Sequence, residues 1–528
     1  MYKSPLISIG RAIGGLLILL IVFLGSGCST LQTSYFTLQF VDSETGRGIP
    51  LVEVETTNRV RLVSDSTGRI AIAPDDLGSR SIFFYVHSHG YEMPESDQGS
   101  QGVNVVLVPG RAQIVTLDRV NIAERLYRVT GEGIYHDSQL VNAHTPLPYE
   151  TRPKGGVFGQ DSVVNAAYKD KLYWFWGDTK RGDSPLGNFK VSGAVSPLPG
   201  DSIYKPAEGV NLSYFVGKDG FVRQMLPLVG DGMVWINGVL VVEDSNQEYL
   251  LSGYSRMNVN FGREEQGIAK WNDQKQKFEK LIDIPLNTPF ALRGHPVKIT
   301  TAGEEWFYFG QAIPDIRVRA DLKDVLNLKR YQAYSPLRPG SRWNDAIPPL
   351  DRDAEGNLVW DWKYDTDVMT TSRWSTLQEK GLLRAQDGFY GFRDIETGDQ
   401  VIPHSGSLTW NEYRQRWILI FGQAWGTTSF LGEVWYAEAL KPEGPWTEAR
   451  KIVTHDRYSF YNVKQHPYFA EGSYIYFEGT YTQSFSGNDQ ATPRYDYNQI
   501  MYRLNLDDPR LPHASTTMQP KTKTASQL

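Results

Sequence analysis

The chain has 528 residues, a formal net charge of -6 and one cysteine. That length exceeds the ~100 to 200 residues of one ordinary domain and leaves room for a large core. The absence of a basic block excludes a nucleic-acid footprint, which needs clustered Lys and Arg, and a lone cysteine excludes an intrachain disulfide. Aromatic residues make up 12% of the chain, with 14 Trp and 29 Tyr, which suits a β-sheet core or a sugar-stacking surface.

At the N-terminus, Lys3 and Arg11 precede an apolar run over 12–25, followed by Gly27 and Cys28. The run is shorter than the ~20 residues a spanning helix needs, so it reads as an export signal. The motif GSGCST resembles a bacterial lipobox, in which cleavage before the cysteine is followed by lipid attachment. That resemblance implies a signal segment over 1–28, lipidation at Cys28 and a lipoprotein anchored to a membrane, facing the periplasm or in the outer membrane, with Ser29 compatible with outer-membrane sorting. A plain cleaved signal and an uncleaved anchor are the alternatives.

Short alternating segments come next, including YFTLQFVD, LVEVETT, RIAIAP, SIFFYVHS and VNVVLV, separated by turns such as SETGRG and DSTGR. Period-2 strands at this spacing predict an antiparallel sandwich over 34–110. The order DSETGRGIPLVEVET, SDSTGRIAI, YVHSHGYE resembles the transthyretin-like, carboxypeptidase regulatory-like domain, which implies a spacer or binding module. His87, His89 and Glu92 then read as surface or turn residues. A bridging segment over 111–150 leads to the main body.

Over 151–510 one form recurs five times: an apolar strand, a polar turn, and an aromatic-rich strand ending near a glycine. The glycines are Gly177, Gly253, Gly310, Gly422 and Gly479. Each unit reads as the inner strand pair of a blade, and GIAKWNDQKQKFEKL, GEVWYAEALKPEGPWTEARKI and NQIMYRLNL supply third strands. An all-β five-bladed propeller follows, with a β-sandwich enzyme or several small sandwiches as the alternative. The long interval before Gly422 predicts an insertion over about 312–403, and a strand near LYRVTGEGIYHDS is expected to close the last blade, since open sheet edges need a partner. The tail over 511–528, rich in Thr, Ser, Lys and Gln, reads as disordered.

Inner strands of a propeller begin near its axis, so residues before each glycine converge. Asp161, His295, His404 beside Ser405, and His466 occupy nearly equivalent places. They predict a polar axial site for a sugar, waters or a structural cation. The spacing lacks a zinc motif, and no cofactor is expected.

In the first unit, GQDSVVNAAYKDKLYWFWGDTK, Asp161 and Asp178 lie at the outer ends of one hairpin, which brings them to one face. Glycoside hydrolysis needs two such carboxyl groups, one protonated and one ionised, and burial beside rings separates their pKa values. The QD and GDT pairing, with WFWGDT, YAEALKPEGPW, HPYF and YFEGTYT, resembles five-bladed propeller glycoside hydrolases, in particular the endo-D-arabinanase-like group, over about 155–506. The resemblance implies that Asp161 and Asp178 are catalytic and that a polysaccharide or oligosaccharide is the partner.

Glu478 is a third candidate carboxylate, its alternative being a strand-end residue paired with Arg494. Trp425 is a candidate stacking platform, and Arg256 and Arg293 could orient hydroxyls or a uronate, or be structural ion-pair partners. Three readings stay open: a glycoside hydrolase, a non-catalytic carbohydrate-binding propeller, and a polysaccharide lyase using an axial histidine.

Overall fold

The computed structural model describes residues 34–94, 101–147, 155–202, 205–384, 387 and 391–512. Cys28, the rest of the signal segment and all but the first two residues of the tail lie outside them.

The leading unit is a sandwich of two four-stranded sheets. One sheet runs in the order Arg69–Ile72, Phe36–Asp42, Ala112–Arg119, Tyr91–Glu92; the other runs Arg61–Val63, Glu53–Thr56, Ser81–His87, Gly102–Val106. Strict alternation in FTLQFVD turns Phe36, Leu38 and Phe40 inward, because successive strand side chains point to opposite faces. They share a core with Val54, Phe84 and Leu117. Ala112–Arg119, within the expected bridge, is a sandwich strand paired in parallel with Phe36–Asp42.

A two-stranded sheet pairs Val157–Gln160 with Thr179–Arg181, and five blade sheets follow. The first two run Val164–Tyr168, Lys171–Trp176, Ser192–Pro197, Ser213–Tyr214 and Met233–Asp244, Gln247–Met257, Arg263–Asn272, Lys277–Asp283. The third has five strands, Val297–Thr301, Glu304–Phe309, Ile316–Arg319, Gln332–Ser335 and Asp361–Tyr364. Much of the expected insertion is therefore the outer half of this blade, and the long glycine interval reflects its extra strand and the helix Thr371–Glu379. In the fourth, Phe392–Asp394 joins Gln400–Asn411 to Glu448–Val453 around Arg416–Ala424 and Val434–Ala439. The fifth runs Ser459–Gln465, Tyr474–Thr482, Asn498–Asn505, Glu124–Arg128.

The strand Glu124–Arg128 comes from before the first blade, so the last sheet is closed by the early part of the chain, with Ile500 opposite Arg128 and Arg503 opposite Glu124. Apolar clusters then tie neighbouring blades into a ring. Phe175 and Trp271 join the first two, Phe290, Phe309 and Leu251 the next two, and Val297 packs against the fourth. Phe460 and Tyr436 bridge the fourth and fifth, and Leu126, Trp174 and Tyr476 bring the fifth back to the first. The molecule is a β-sandwich followed by a five-bladed β-propeller.

Sandwich and propeller share contacts through the closing strand. Arg125 is buried and its guanidinium donates to Pro50 O at 3.0 Å, His89 O at 2.9 Å and Ser88 Oγ at 2.6 Å. A buried guanidinium is tolerated because its donors are satisfied. His89, expected at the surface, is buried at this junction with Nε2 2.9 Å from Tyr481 Oη, and burial holds it neutral by lowering its pKa.

Candidate active site

Asp161 follows the strand Val157–Gln160 and Asp178 follows Lys171–Trp176. Their backbones interlock: Asp161 N donates to Asp178 O at 3.2 Å, and Gly177 N donates to Asp161 O at 2.8 Å. Asp178 N also donates to Asp161 Oδ1 at 2.8 Å. Gly177 is required by this approach, since a Cβ there would overlap Asp161 Oδ1. Ser162 takes a left-handed φ of 57°, a conformation uncommon outside glycine; its N–H is held by Thr480 Oγ1 at 3.0 Å.

The two carboxyl groups sit in different surroundings. Asp161 Oδ2 accepts from Tyr461 Oη at 2.9 Å, and the Tyr497 hydroxyl also reaches the carboxylate. Burial raises the pKa of Asp161, while these donors and the Asp178 N–H oppose the rise by holding the ionised form. Asp178 has one side-chain donor, Trp235 Nε1 at 3.2 Å. Burial, reinforced by the Asp161 charge, pushes its pKa up to about 7. Tyr461 and Tyr497 are themselves pushed upward by burial and by Asp161, so both stay as hydroxyl donors. One carboxyl is thus pushed into the neutral range by burial and a neighbouring charge, while the other, also raised by burial, has several donors that favour its ionised form.

Exposed rings border the pair. Phe261, 65% exposed, stacks at 6.3 Å on Trp235, and Phe485, 67% exposed, meets Tyr461 edge-on at 6.2 Å. Trp425, 69% exposed, follows Arg416–Ala424 as Asp178 follows Lys171–Trp176, which puts it on the same face of the propeller. Lys180 lies 4.4 Å over the Tyr497 ring and 3.1 Å from Asp496.

The histidines divide. His404 Nδ1 is 3.2 Å from Ser405 Oγ, which donates to Asn462 Oδ1 at 3.2 Å; Asn462 Nδ2 donates to Ser162 Oγ at 2.6 Å. A polar chain thus links His404 to the residue beside Asp161. His466 is different. The inner strand of the fifth blade is Ser459–Gln465, so His466 lies beyond its far end, at the start of the turn Pro467–Phe469, with no exposed surface. The residues at the Asp161 level of that blade are Tyr461 and Asn462.

Glu478 is also fully buried, 3.0 Å from His466 Nε2, and its carboxylate makes no hydrogen bond to Asp161 or Asp178. It does not pair with Arg494, which binds Asp137. His466 Nδ1 faces Asn165 Nδ2 at 3.0 Å. Opposite Glu478 across the strand pair stands Lys464, pushed down to about 8 by burial. His295, half-buried, is lowered first by burial and then by the charges of Lys464 and His466. The internal cluster therefore carries its own cationic side chain, and among the described residues no group of three or more His, Cys, Asp or Glu is placed to hold a metal ion.

Arg256 and Arg293 are engaged elsewhere. Arg256 pairs with Glu264 at 2.6 Å and Glu265 at 3.2 Å, and Arg293 with Asp315 at 2.6 Å. Both are the structural ion-pair partners that formed their alternative reading. Tyr461, Tyr497 and Trp235 are the site residues that sequence reasoning missed. Trp235 and Tyr461 each stand near the start of an inner strand, where Asp161 was sought, so aligning inner-strand starts could have found them; Tyr497 arrives on a long loop and left no such signal.

No family model and no curated protein matches the chain. Among solved structures it is similar to a Bacteroides ovatus protein provisionally named a hydrolase, at 12% identity and a TM-score of 0.40 over 69% of this chain and 90% of that one. It is similar also to the α-L-arabinanase of Cellvibrio cellulosa, at 10% identity and a TM-score of 0.32 over 66% and 91%. A third is the exo-β-1,3-galactanase of Phanerochaete chrysosporium, at 12% identity and a TM-score of 0.34 over 65% and 60%.

Proposed function

We propose that the chain is a glycoside hydrolase in which Asp178 is the proton donor and Asp161 the ionised carboxylate. The observation that carries this reading is the unequal hydrogen bonding of two interlocked, buried aspartates: one has a single indole donor and a pKa pushed to about 7, the other several hydroxyl and amide donors that oppose the rise burial causes. Breaking a glycosidic bond needs a proton on the leaving oxygen and a carboxylate to activate water or stabilise the anomeric carbon. Asp178 supplies the first, its pKa pushed up to about 7 so that a protonated form is present at neutral pH. Asp161, its charge stabilised by Tyr461 and Tyr497, supplies the second.

Exposed Trp425, Phe261 and Phe485 suit the faces of sugar rings, and the net charge and lack of a basic patch suit a neutral glycan. The lyase alternative would need a titrating axial histidine and a free arginine. His466 is sealed, burial lowers the pKa of His404, and Arg256 and Arg293 are already paired, so His404 is the one axial histidine beside the pair and no unpaired arginine among these two accompanies it. The apolar run over 12–25 and Cys28 support an exported, lipid-anchored enzyme acting on extracellular or periplasmic glycan.

The test is reducing-sugar release from a panel of polysaccharides, including arabinans and sulfated algal glycans, by the wild type, Asp161→Asn and Asp178→Asn. Cleavage by the wild type alone supports the assignment. Equal release by all three removes the pair from the mechanism, and binding without cleavage favours the carbohydrate-binding alternative.

A further inference from the structure

A polar cavity of about 560 Å³ opens where the sandwich meets the propeller, and neither Asp161 nor Asp178 lines it. One wall is the outward face of the sheet holding Arg61–Val63, Glu53–Thr56 and Ser81–His87. Register places Glu55 opposite Tyr85 and Arg61, so these side chains share that face. The opposite wall is Asn488 and Gln490, from the loop that connects Tyr474–Thr482 to Asn498–Asn505 in the fifth blade.

The wall is built rather than incidental. Arg61 binds Glu53 and donates to Gln490 Oε1 at 2.9 Å, while Thr492 Oγ1 donates to Glu53 Oε1 at 2.7 Å. Arg59 pairs with Glu55 at 2.6 Å. The two acids and two arginines of the wall are therefore paired with one another, with His87 beside them, and neither sign of charge dominates the cavity. It offers alternating donors and acceptors, two amides and the Tyr85 ring, half of whose surface is exposed. That combination, a flat ring beside neutralised polar groups, fits the hydroxyl-rich edges and apolar face of a neutral sugar.

The loop joins this cavity to the candidate active site. Along residues 483–497, Phe485 meets Tyr461, Asn488 and Gln490 line the cavity, and Tyr497 returns to the Asp161 carboxylate. We infer that the cavity between sandwich and propeller is a distal binding site for a neutral oligosaccharide stretch of the same glycan chain cleaved at Asp161 and Asp178. The inference rests on the glycoside hydrolase reading. It makes the sandwich a contributor to substrate binding, with long chains held at two places and short ones at one.

The test compares wild type, Tyr85→Ala, Tyr85→Phe and Asn488→Ala as full chains, on the panel polysaccharide that the wild type cleaves and on tetrasaccharides of that glycan. Tyr85→Ala and Asn488→Ala are expected to raise KM for the polymer about fivefold or more with kcat unchanged, to leave tetrasaccharide kinetics unaltered, and Tyr85→Phe to retain wild-type values. An unchanged polymer KM overturns the inference, as does a parallel change on polymer and tetrasaccharide, which would report a loop disturbance. If the wild type cleaves nothing in the panel, the hydrolase reading fails separately, and affinity electrophoresis in gels containing each polysaccharide decides the cavity. Retardation of the wild type that Tyr85→Ala loses upholds a glycan site there; no retardation, or equal retardation, overturns it.

Discussion

The backbone N–H of Asp178 donates to Oδ1 of Asp161 at 2.8 Å, so one candidate catalytic residue positions the carboxylate of the other. The two cannot be moved independently. The same hydrogen bond stabilises the ionised form of Asp161, whose charge in turn raises the pKa of Asp178.

The first prediction concerns stability against pH. The folded pKa of Asp178 is raised from the model-peptide value of 3.8 to about 7, so the native state binds more protons than the unfolded chain between those limits. Stability contributed by this group is present at acid pH and is lost as pH rises towards 7. Asp178→Asn is expected to raise Tm at pH 8, with the gain shrinking towards pH 4. Thermal unfolding across that range checks it; a gain that is largest at pH 4 contradicts the environment assigned to Asp178.

Tyr461→Phe removes the hydroxyl held by Asp161 Oδ2. Hydrogen bonds to a charged group are worth roughly 1.5 to 3 kcal/mol. The variant is expected to shift the acid limb of the pH–rate profile upward, because the ionised form of Asp161 has lost a donor, and to lower kcat about tenfold or more. An unchanged acid limb would separate Asp161 from the reaction.

Gly177→Ala puts a methyl group against Asp161 Oδ1. The carboxylate must move, while Gly177 itself has an ordinary backbone conformation. Activity is expected to fall by ~100-fold or more, since displacement of about 1 Å at a catalytic group costs that much, with far-UV circular dichroism unchanged. Wild-type activity in this variant would show that the close approach is dispensable.

Arg125→Ala tests whether the closing strand also fastens the sandwich. It strips donors from Pro50 O, His89 O and Ser88 Oγ in a buried junction, and each unsatisfied buried group costs about 1 to 3 kcal/mol. A loss of at least ~3 kcal/mol in denaturant unfolding is expected. A change below ~1 kcal/mol would mean that the junction contributes little.

The repeat was legible because each inner strand pair combines β-branched and aromatic residues with a polar turn and a closing glycine. Asp161 and Asp178 were legible because they alone place carboxylates at both ends of one unit. In the fifth unit, HPYF drew the strand assignment away from SFYNVKQ, since Pro467 and the aromatic residues following it imitate a strand start yet form a turn. That slip promoted His466 and concealed Tyr461. Glu478 looked catalytic beside a blade glycine, but strand alternation turns it inward against Lys464 and His466. Tyr497 and the cavity facing Tyr85 depend on a loop meeting distant strands, a juxtaposition that no local pattern encodes. The expected insertion included strands of the third blade because those strands are short and lack the aromatic run of the inner pairs.

The most direct measurement is reducing-end release from the polysaccharide panel by wild type and Asp178→Asn, followed from pH 5 to pH 9. The wild type is predicted to cleave at least one polymer with a rate that falls as pH rises through about 7, the pKa of its proton donor, and Asp178→Asn to lose at least ~100-fold, the ordinary contribution of general acid catalysis. A variant that keeps the wild-type rate and pH profile, with its fold intact, would contradict the assignment of Asp178 as the acid.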